Sequence, residues 1–492
     1  MSKKKVIVIG AGFAGLAAAT TLAHQGFAVT LLEKNDKAGG RANILQAEGF
    51  TFDMGPSWYW MPDVFERYFA RFGKKVSDYY TLKRLDPSYR VYFGENDYIN
   101  VPANLNDLYE LFESYEKGSS QKLKEFLKQS AYKYEVGINN LVYKPSRSIW
   151  EFVDFRLLID MIRMNIFESF HKHIRKYFSH PKLLKLVEFP ILFLGAIPQN
   201  TPALYSLMNY ADMALGTWYP MGGMYEVVKA MASLAQEQGV RILYNQEVQK
   251  IVVENGKATR VITNQSTFEA DAIVAGADYH HVEQEILEKP YRNYSESYWQ
   301  KRIMSPSSLL YYVGLNKRLQ NIEHHVLCFD EELDLHAHEI YTKPQWPSKP
   351  LFYLSATSQT DSSVAPEGKE NLVLLIPVAV GLEDKEEIRE HYYHLIMKRL
   401  EKLTGQSVLD AVIFKKSYAH KDFLNDYHSF RGNAYGLANT LMQTAILKPS
   451  LKSKKVRNLY FTGQLTVPGP GVPPTIISGQ VVANELMKEI KT

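Results

Sequence analysis

The hexapeptide Gly10-Ala11-Gly12-Phe13-Ala14-Gly15 is the first stretch of the chain with chemistry written into its spacing. G-x-G-x-x-G suits a backbone that presses against a diphosphate. Gly10 permits a tight turn, Gly12 lets the main chain approach a pyrophosphate, and Gly15 lets a helix pack closely on a strand. The helix opening there offers unpaired N–H groups to anions. Glu33 follows about 20 residues on, where a carboxylate accepts ribose hydroxyls and disfavours a 2′-phosphate. Gly39-Gly40-Arg41 then supplies a second close backbone approach and a planar cation able to reach phosphate.

These residues need elements to hold them. Lys5-Val6-Ile7-Val8-Ile9 reads as a short buried parallel strand. Residues 16–23 read as a helix closed by Gly26, and residues 27–32 as a second strand ending at Glu33. Strand, glycine loop, helix and acid together form the context that makes the motif a dinucleotide site. Further along, Asn255-Gly256 between β-rich runs predicts a hairpin. Residues 270–278 predict a buried strand ending at a glycine, and residues 459–462 a strand running into Gly463. Thr475 to Gly479 predict the start of the last helix. Strands are also expected at residues 309–315 and 372–378. Phe155, Ile159, Ile162, Ile166, Phe170 and Ile174 recur at three- and four-residue spacing, predicting one long helix over 150–178. Its basic residues suit either packing on its own domain or lying on an anionic membrane. The basic run 452–457 reads as a solvated turn.

Composition narrows the classes. The chain has 492 residues, 46% hydrophobic and 22% charged, in the globular range. Its length suggests about three domains at ~150 residues each. A net charge of +4 is too small to argue for nucleic acid. The single cysteine, Cys328, excludes an intramolecular disulfide and a cysteine metal cage, and fits a reducing compartment. His280-His281 and His324-His325 lack carboxylate or cysteine company at ligand spacing, so no metal is expected and both pairs read as structural or exposed. No run approaches the ~20 apolar residues of a spanning helix. The apolar run at residues 6–9 is stopped by glycine, so no signal peptide is read. The 32 Tyr, 24 Phe and 6 Trp suit an ordinary core or an aromatic-lined apolar cavity.

The order G-x-G-x-x-G, Glu33, Gly39-Gly40-Arg41 resembles the FAD-binding fingerprint of the amine oxidase and phytoene desaturase superfamily. Phe52-Asp53-Met54-Gly55-Pro56 continues it as F-D-x-G. Trp218-Tyr219-Pro220-Met221-Gly222-Gly223 resembles the W-x-P-x-G-G of bacterial-type phytoene desaturases. Thr360-Asp361-Ser362-Ser363-Val364-Ala365-Pro366-Glu367-Gly368 resembles that family's T-D-S-S-x-A-P-E-G. Residues 458–473 resemble its N-L-Y-x-x-G…P-G-x-G-x-P segment. The chain departs at Thr466-Val467-Pro468-Gly469, where many members have T-H-P-G, and at Val472-Pro473-Pro474, where many have I-P-G. By the resemblance these departures lie beside the flavin ring and bear on the desaturation step.

The resemblance implies an α/β fold with three parts. A Rossmann-like, GR2-type FAD-binding domain is assembled from discontinuous segments, residues 1–75, 215–289 and 446–492. A mixed-sheet substrate-binding domain comprises 76–145 and 290–445, and 146–214 form a helical, membrane-associating insertion. It implies FAD contacts at Gly10, Gly12, Phe13, Ala14, Gly15, Glu33, Lys34, Gly39, Gly40, Arg41, Gly55, Pro56, Ser57, Val248, Gly463, Gln464, Gly471, Val472 and Pro473. The implied reaction is successive C–C desaturation of phytoene toward lycopene by hydride transfer to flavin N5, with the neighbouring proton taken by a base or by water. Alternatives are a 3,4-desaturase, a diapophytoene desaturase, a carotenoid isomerase, an amine or protoporphyrinogen oxidase, or a non-enzymatic isoprenoid-binding protein. The implied partners are a long apolar polyene, a membrane surface touched peripherally from the cytoplasm, and oxygen or a quinone as electron acceptor. No catalytic acid–base residue is assigned. Asp53 is expected to hold a turn or a cofactor hydrogen bond, and Asp422, Asn425 and Arg431 to line the tunnel.

Overall fold

β-Branched residues hidden on both faces set the first sheet. Lys5–Ile9 pairs in parallel with Ala28–Leu32 on one side and Ala272–Ala275 on the other. Arg241–Leu243 and Leu459–Phe461 complete the two edges, giving five parallel strands. Val6 and Val8 are fully buried, as the uninterrupted apolar run requires. The computed structural model describes residues 3–152, 168–192 and 197–490.

The helix Phe13–His24 leaves the first strand through the glycine loop and is buried along almost its whole length. It ends where Gly26 turns left-handed at φ +90, with the Phe27 N–H donating to the Leu22 carbonyl. The last helix, Val472–Ile490, crosses it so tightly that a Cβ on Gly479 would lie 2.3 Å from the Ala14 carbonyl oxygen. It begins three residues before the sequence start signal at Thr475. The expected hairpin forms from Val248–Glu254 and Lys257–Thr263, turned by Asn255 at φ 53 and Gly256 at φ 71.

A second, seven-stranded sheet runs in the order Val412–Tyr418, Ser307–Leu315, Glu370–Val378, Phe352–Ser355, His325–Cys328, Tyr89–Gly94 and Asp97–Val101. Only His325–Cys328 against Tyr89–Gly94 is parallel. Period-2 alternation gives the sheet two jobs. Leu309, Tyr311, Leu372 and Leu374 share a core with Ile396, Met397 and Leu400 of the helix Glu386–Thr404. Ser308, Leu310, Leu327, Tyr353 and Leu375 point the other way, into a cavity.

The single helix expected over 150–178 does not form. Ile149–Phe152 is a 3₁₀ turn, and Ser169 is extended at ψ 146, bridged to Pro202. Ser169 Oγ accepts the Lys172 N–H, capping a new short helix, Phe170–Ile174. A serine side chain at a helix start competes well with helix continuation. Phe170 and Ile174 are buried in a core shared with Leu123 and Phe126 of Ser119–Val136. Phe155, Ile159, Ile162 and Ile166 lie outside the described residues. Among the described residues no helix is long and apolar enough to cross a membrane.

Candidate functional site

The two sheets face one another across a continuous cavity of about 460 Å³. Its polar end is the glycine loop. Gly10 sits at φ +92, with a would-be Cβ only 3.2 Å from the Ala277 nitrogen, so the turn admits little else. A Cβ on Gly12 would meet nothing within 4 Å, leaving its backbone open toward the cavity. Gly15 lies behind the loop, where a Cβ would fall 1.9 Å from the Gly10 carbonyl oxygen.

Glu33 is fixed at the same end. Its two carboxylate oxygens accept the Ala11 N–H at 2.7 Å and the Asn35 N–H at 2.9 Å. Burial raises its pKa, and those N–H groups act against the rise. Arg41 reaches across the cavity, with Nη2 donating to Ser429 Oγ at 2.5 Å and standing 3.9 Å from Asp278. Its buried Nε has no hydrogen-bond partner among the described residues. A buried guanidinium N–H left open beside a nucleotide-shaped loop suits an anionic group from outside the chain. Lys34 Nζ donates to the Asn425 carbonyl at 2.5 Å.

Of the residues expected at the cofactor, Gly10, Gly12, Phe13, Ala14, Glu33, Lys34, Gly39, Gly40, Arg41, Gly55, Pro56, Ser57, Val248, Gly463, Gln464, Gly471, Val472 and Pro473 all line this cavity. Gly15 does not line it. The space its missing side chain would fill is taken by the Gly10 backbone, so its part is packing.

Motifs distant in sequence turn out to brace one another. Asp53 accepts the Met224 N–H at 2.8 Å and the Tyr225 N–H at 3.1 Å, holding the start of the helix Tyr225–Glu237. Burial pushes the Asp53 carboxyl up to about 7, against those two N–H bonds. Gly55 of the same F-D-x-G is required sterically, since a Cβ there would sit 2.0 Å from the Arg41 carbonyl oxygen. Asp278 caps the turn that follows its strand by accepting the His280 N–H at 3.1 Å.

Asp422, Asn425 and Arg431 do not line the cavity. Asp422 turns to Arg389 at 2.8 Å, Asn425 offers only its carbonyl to Lys34, and the Arg431 carbonyl accepts the Gly381 N–H. On the helix His420–Tyr427 it is the face carrying Phe423, Asp426 and Tyr427 that reaches the cavity, as helical spacing dictates once the outward face is paired.

Beyond Ser57 the cavity becomes apolar. Trp58, Trp60, Phe189, Leu327, Phe329, Leu351, Phe352 and Leu375 wall this arm. The charged lining residues, Glu33, Lys34, Arg41, Glu247, Asp278 and Asp426, all belong to the nucleotide end. The aromatic excess in composition is therefore spent partly on a cavity wall. The histidine pairs are not exposed. His324 and His325 are buried, and His281 lines the cavity, stacked at 4.0 Å on His428. Trp58 and Trp60 went unremarked in the sequence, although they follow the F-D-x-G-P segment at a one-residue interval.

The family model described as "Flavin containing amine oxidoreductase" matches residues 13–487. A carotenoid 3,4-desaturase from Haloarcula japonica is 40% identical, spanning 100% of this chain and 99% of its own. A zeta-carotene-forming phytoene desaturase from Myxococcus xanthus is 31% identical over 98% of this chain and 94% of its own. A solved oxidoreductase from Methanosarcina mazei shares the fold, with a TM-score of 0.64 at 16% identity over 99% of this chain and 100% of its own. The nucleotide loop, the motifs braced around it and these full-length likenesses have one reading: the chain belongs to the carotenoid desaturases of the flavin-containing amine oxidoreductase family, and its cofactor is FAD.

Proposed function

We propose that the enzyme dehydrogenates phytoene through successive C–C desaturations toward lycopene. The observation that carries this reading is the shape of one cavity, which joins a nucleotide loop to an arm walled by aromatic and aliphatic side chains and, among the described residues, free of ionic groups. A hydrocarbon gives an enzyme nothing to grip but apolar surface, and this arm supplies it while excluding water.

FAD supplies, when bound, the two-electron oxidant that no amino-acid side chain provides. Gly10, Gly12, Phe13 and Ala14 would hold its pyrophosphate, with Arg41 and Lys34 nearby as cations. Glu33 would take the adenosine ribose, and Val248 would offer main chain to the adenine. Gly39, Gly40, Gly55, Pro56 and Ser57 would flank the flavin end on one side. Gly463, Gln464, Gly471, Val472 and Pro473 would flank it on the other. The task left to the apolar arm is to lay one saturated carbon pair against the flavin, since alignment is worth a large share of such a barrier. A peripheral contact with the cytoplasmic membrane would deliver the polyene, and oxygen or a quinone would reoxidise the cofactor.

The 40% identity to a carotenoid 3,4-desaturase, against 31% to a phytoene desaturase, favours a second reading in which the substrate is a later carotenoid. Expression in cells that accumulate phytoene, and separately in cells that accumulate lycopene, distinguishes the two. Chromatography with absorption spectra reads the products. New polyenes only in the first host support phytoene as substrate. New polyenes only in the second move the assignment to the 3,4 position. Unchanged pigments in both, with yellow folded protein, count against both and turn the search to the C30 series, whereas folded protein without flavin colour favours a protein that binds isoprenoids without converting them.

A further inference from the structure

Desaturation removes a proton as well as a hydride, and the sequence named no group to take it. The cavity wall holds a hydrogen-bonded chain at the place where its polar and apolar parts meet. Ser57 Oγ lies 2.9 Å from the Tyr353 hydroxyl, and that hydroxyl lies 2.6 Å from His325 Nδ1. Ser57 and Tyr353 both line the cavity, while His325 stands behind them, fully buried. The His325 ring stacks on Trp58, with centroids 4.1 Å apart and planes within 12°.

Several other titratable groups in this region are already committed. His336 also lines the cavity, but its Nε2 bonds the Pro377 carbonyl at 2.8 Å and its Nδ1 accepts the Leu351 N–H at 3.1 Å. Asp53 holds a helix start. Asp212 accepts the Tyr89 hydroxyl at 2.8 Å and does not line the cavity. His325 differs, since its Nε2 has no partner among the described residues and its sole polar link leads to the cavity through Tyr353.

We propose that Tyr353 and His325 together form the base that accepts the proton released in desaturation. The proposal rests on the dehydrogenation reading, but not on which carotenoid is converted. As a hydride leaves one carbon with its electron pair, accepted by the flavin, the C–H pair of the neighbouring carbon becomes the second bond of the new C=C. Its proton passes to the Tyr353 oxygen while the Tyr353 O–H proton passes to His325 Nδ1. The proton returns by the same path when product leaves and water enters. Burial lowers the His325 pKa well below the ordinary histidine range, so the ring waits neutral with a nitrogen vacant. A C–H beside an electron-deficient carbon is acidic enough for so weak a base. The Trp58 face then stabilises the imidazolium by a cation–π contact.

The relay requires neutral His325 to carry its proton on Nε2, leaving Nδ1 to accept. Nitrogen-15 NMR of histidine-labelled holoenzyme, assigned by comparison with His325→Gln, reads it without any assay. An unprotonated Nδ1 is expected, and a protonated Nδ1 overturns the proposal. Tyr353→Phe and His325→Gln are each expected to cut turnover by about 100-fold at unchanged FAD content. The double variant should lose no more than either single one, as members of one relay do. Turnover near the wild-type level in either variant, or losses that multiply in the double variant, overturns it. Should a variant fail to hold FAD, the wild-type tautomer still decides. A wild-type enzyme that converts no carotenoid is a failure of the dehydrogenation reading instead.

Discussion

Asp361 Oδ2 accepts the Gly222 N–H at 2.6 Å across a sequence separation of 139 residues. The same carboxylate takes the Ser363 N–H and hydroxyl at 2.9 and 2.7 Å. The T-D-S-S motif is thus a clamp on the W-x-P-x-G-G turn. That turn in turn leans on Asp53, since a Cβ on Gly223 would stand 2.9 Å from its carboxylate. Asp361→Ala is expected to cost about 1.5–3 kcal/mol, the range for bonds to a charged acceptor. Denaturant unfolding of the holoenzyme measures it, and an unchanged midpoint would show that the clamp is not needed.

Two glycines of one motif should fail in different ways. Gly12→Ala meets no protein atom within 4 Å, so the chain should fold with near-native stability and lose FAD. Gly15→Ala drives a methyl to 1.9 Å from the Gly10 carbonyl oxygen and should lower the melting temperature of the apoprotein as well. Flavin absorbance per chain, read beside apoprotein melting curves, separates the two. Equal melting temperatures for both variants would contradict the assignment of roles.

Glu33 should matter to the loop before it matters to any ribose. Because Ala11 and Asn35 both donate to it, Glu33→Ala leaves two N–H groups without their carboxylate. Flavin retention on dialysis is expected to fall by at least about tenfold, the equivalent of ~1.4 kcal/mol. Retention equal to wild type would place the ribose elsewhere.

Lys448 offers a pH test. It is buried beside the Gly469 turn with Asn439 Oδ1 at 3.0 Å as its polar partner, and burial lowers its pKa from 10.5 to about 7. Between those values the unfolded chain holds a proton that the folded chain does not, so stability rises with pH across that window. Below pH 7 both states are protonated and the cost of burying the ammonium is felt in full. Lys448→Met is therefore expected to raise the melting temperature most below pH 7, with the gain shrinking toward pH 10.5. A gain independent of pH would mean the ammonium is not what the fold resists.

The nucleotide half was legible because its signals are local. A glycine spacing, a β-branched run and an Asn-Gly pair each fix a backbone shape within a few residues, and each appears where expected. The helix over 150–178 misled because apolar spacing reports a buried face and says nothing of Ser169, which is extended and caps a short helix of its own at Phe170–Ile174. The tunnel residues misled for a related reason. Asp422 reads as a free polar group until the fold brings Arg389 to it. Tyr353 and His325 were beyond reach, since a strand pairing joins them and no spacing along the chain announces it.

The five-stranded sheet has a consequence for how the protein is made. Its edge strand Leu459–Phe461 and the helix that buries the glycine-loop helix lie far along the chain from Lys5, although they complete the sheet and the packing that begin there. Until those distant segments arrive, the first part of the sheet stands with an edge unpaired and an alanine-rich helix uncovered. Such intermediates aggregate readily and fold slowly, because distant segments must meet before either is rewarded. The cavity itself is lined from both stretches, so slower synthesis at lower temperature, with flavin in supply, is the condition under which yield should improve.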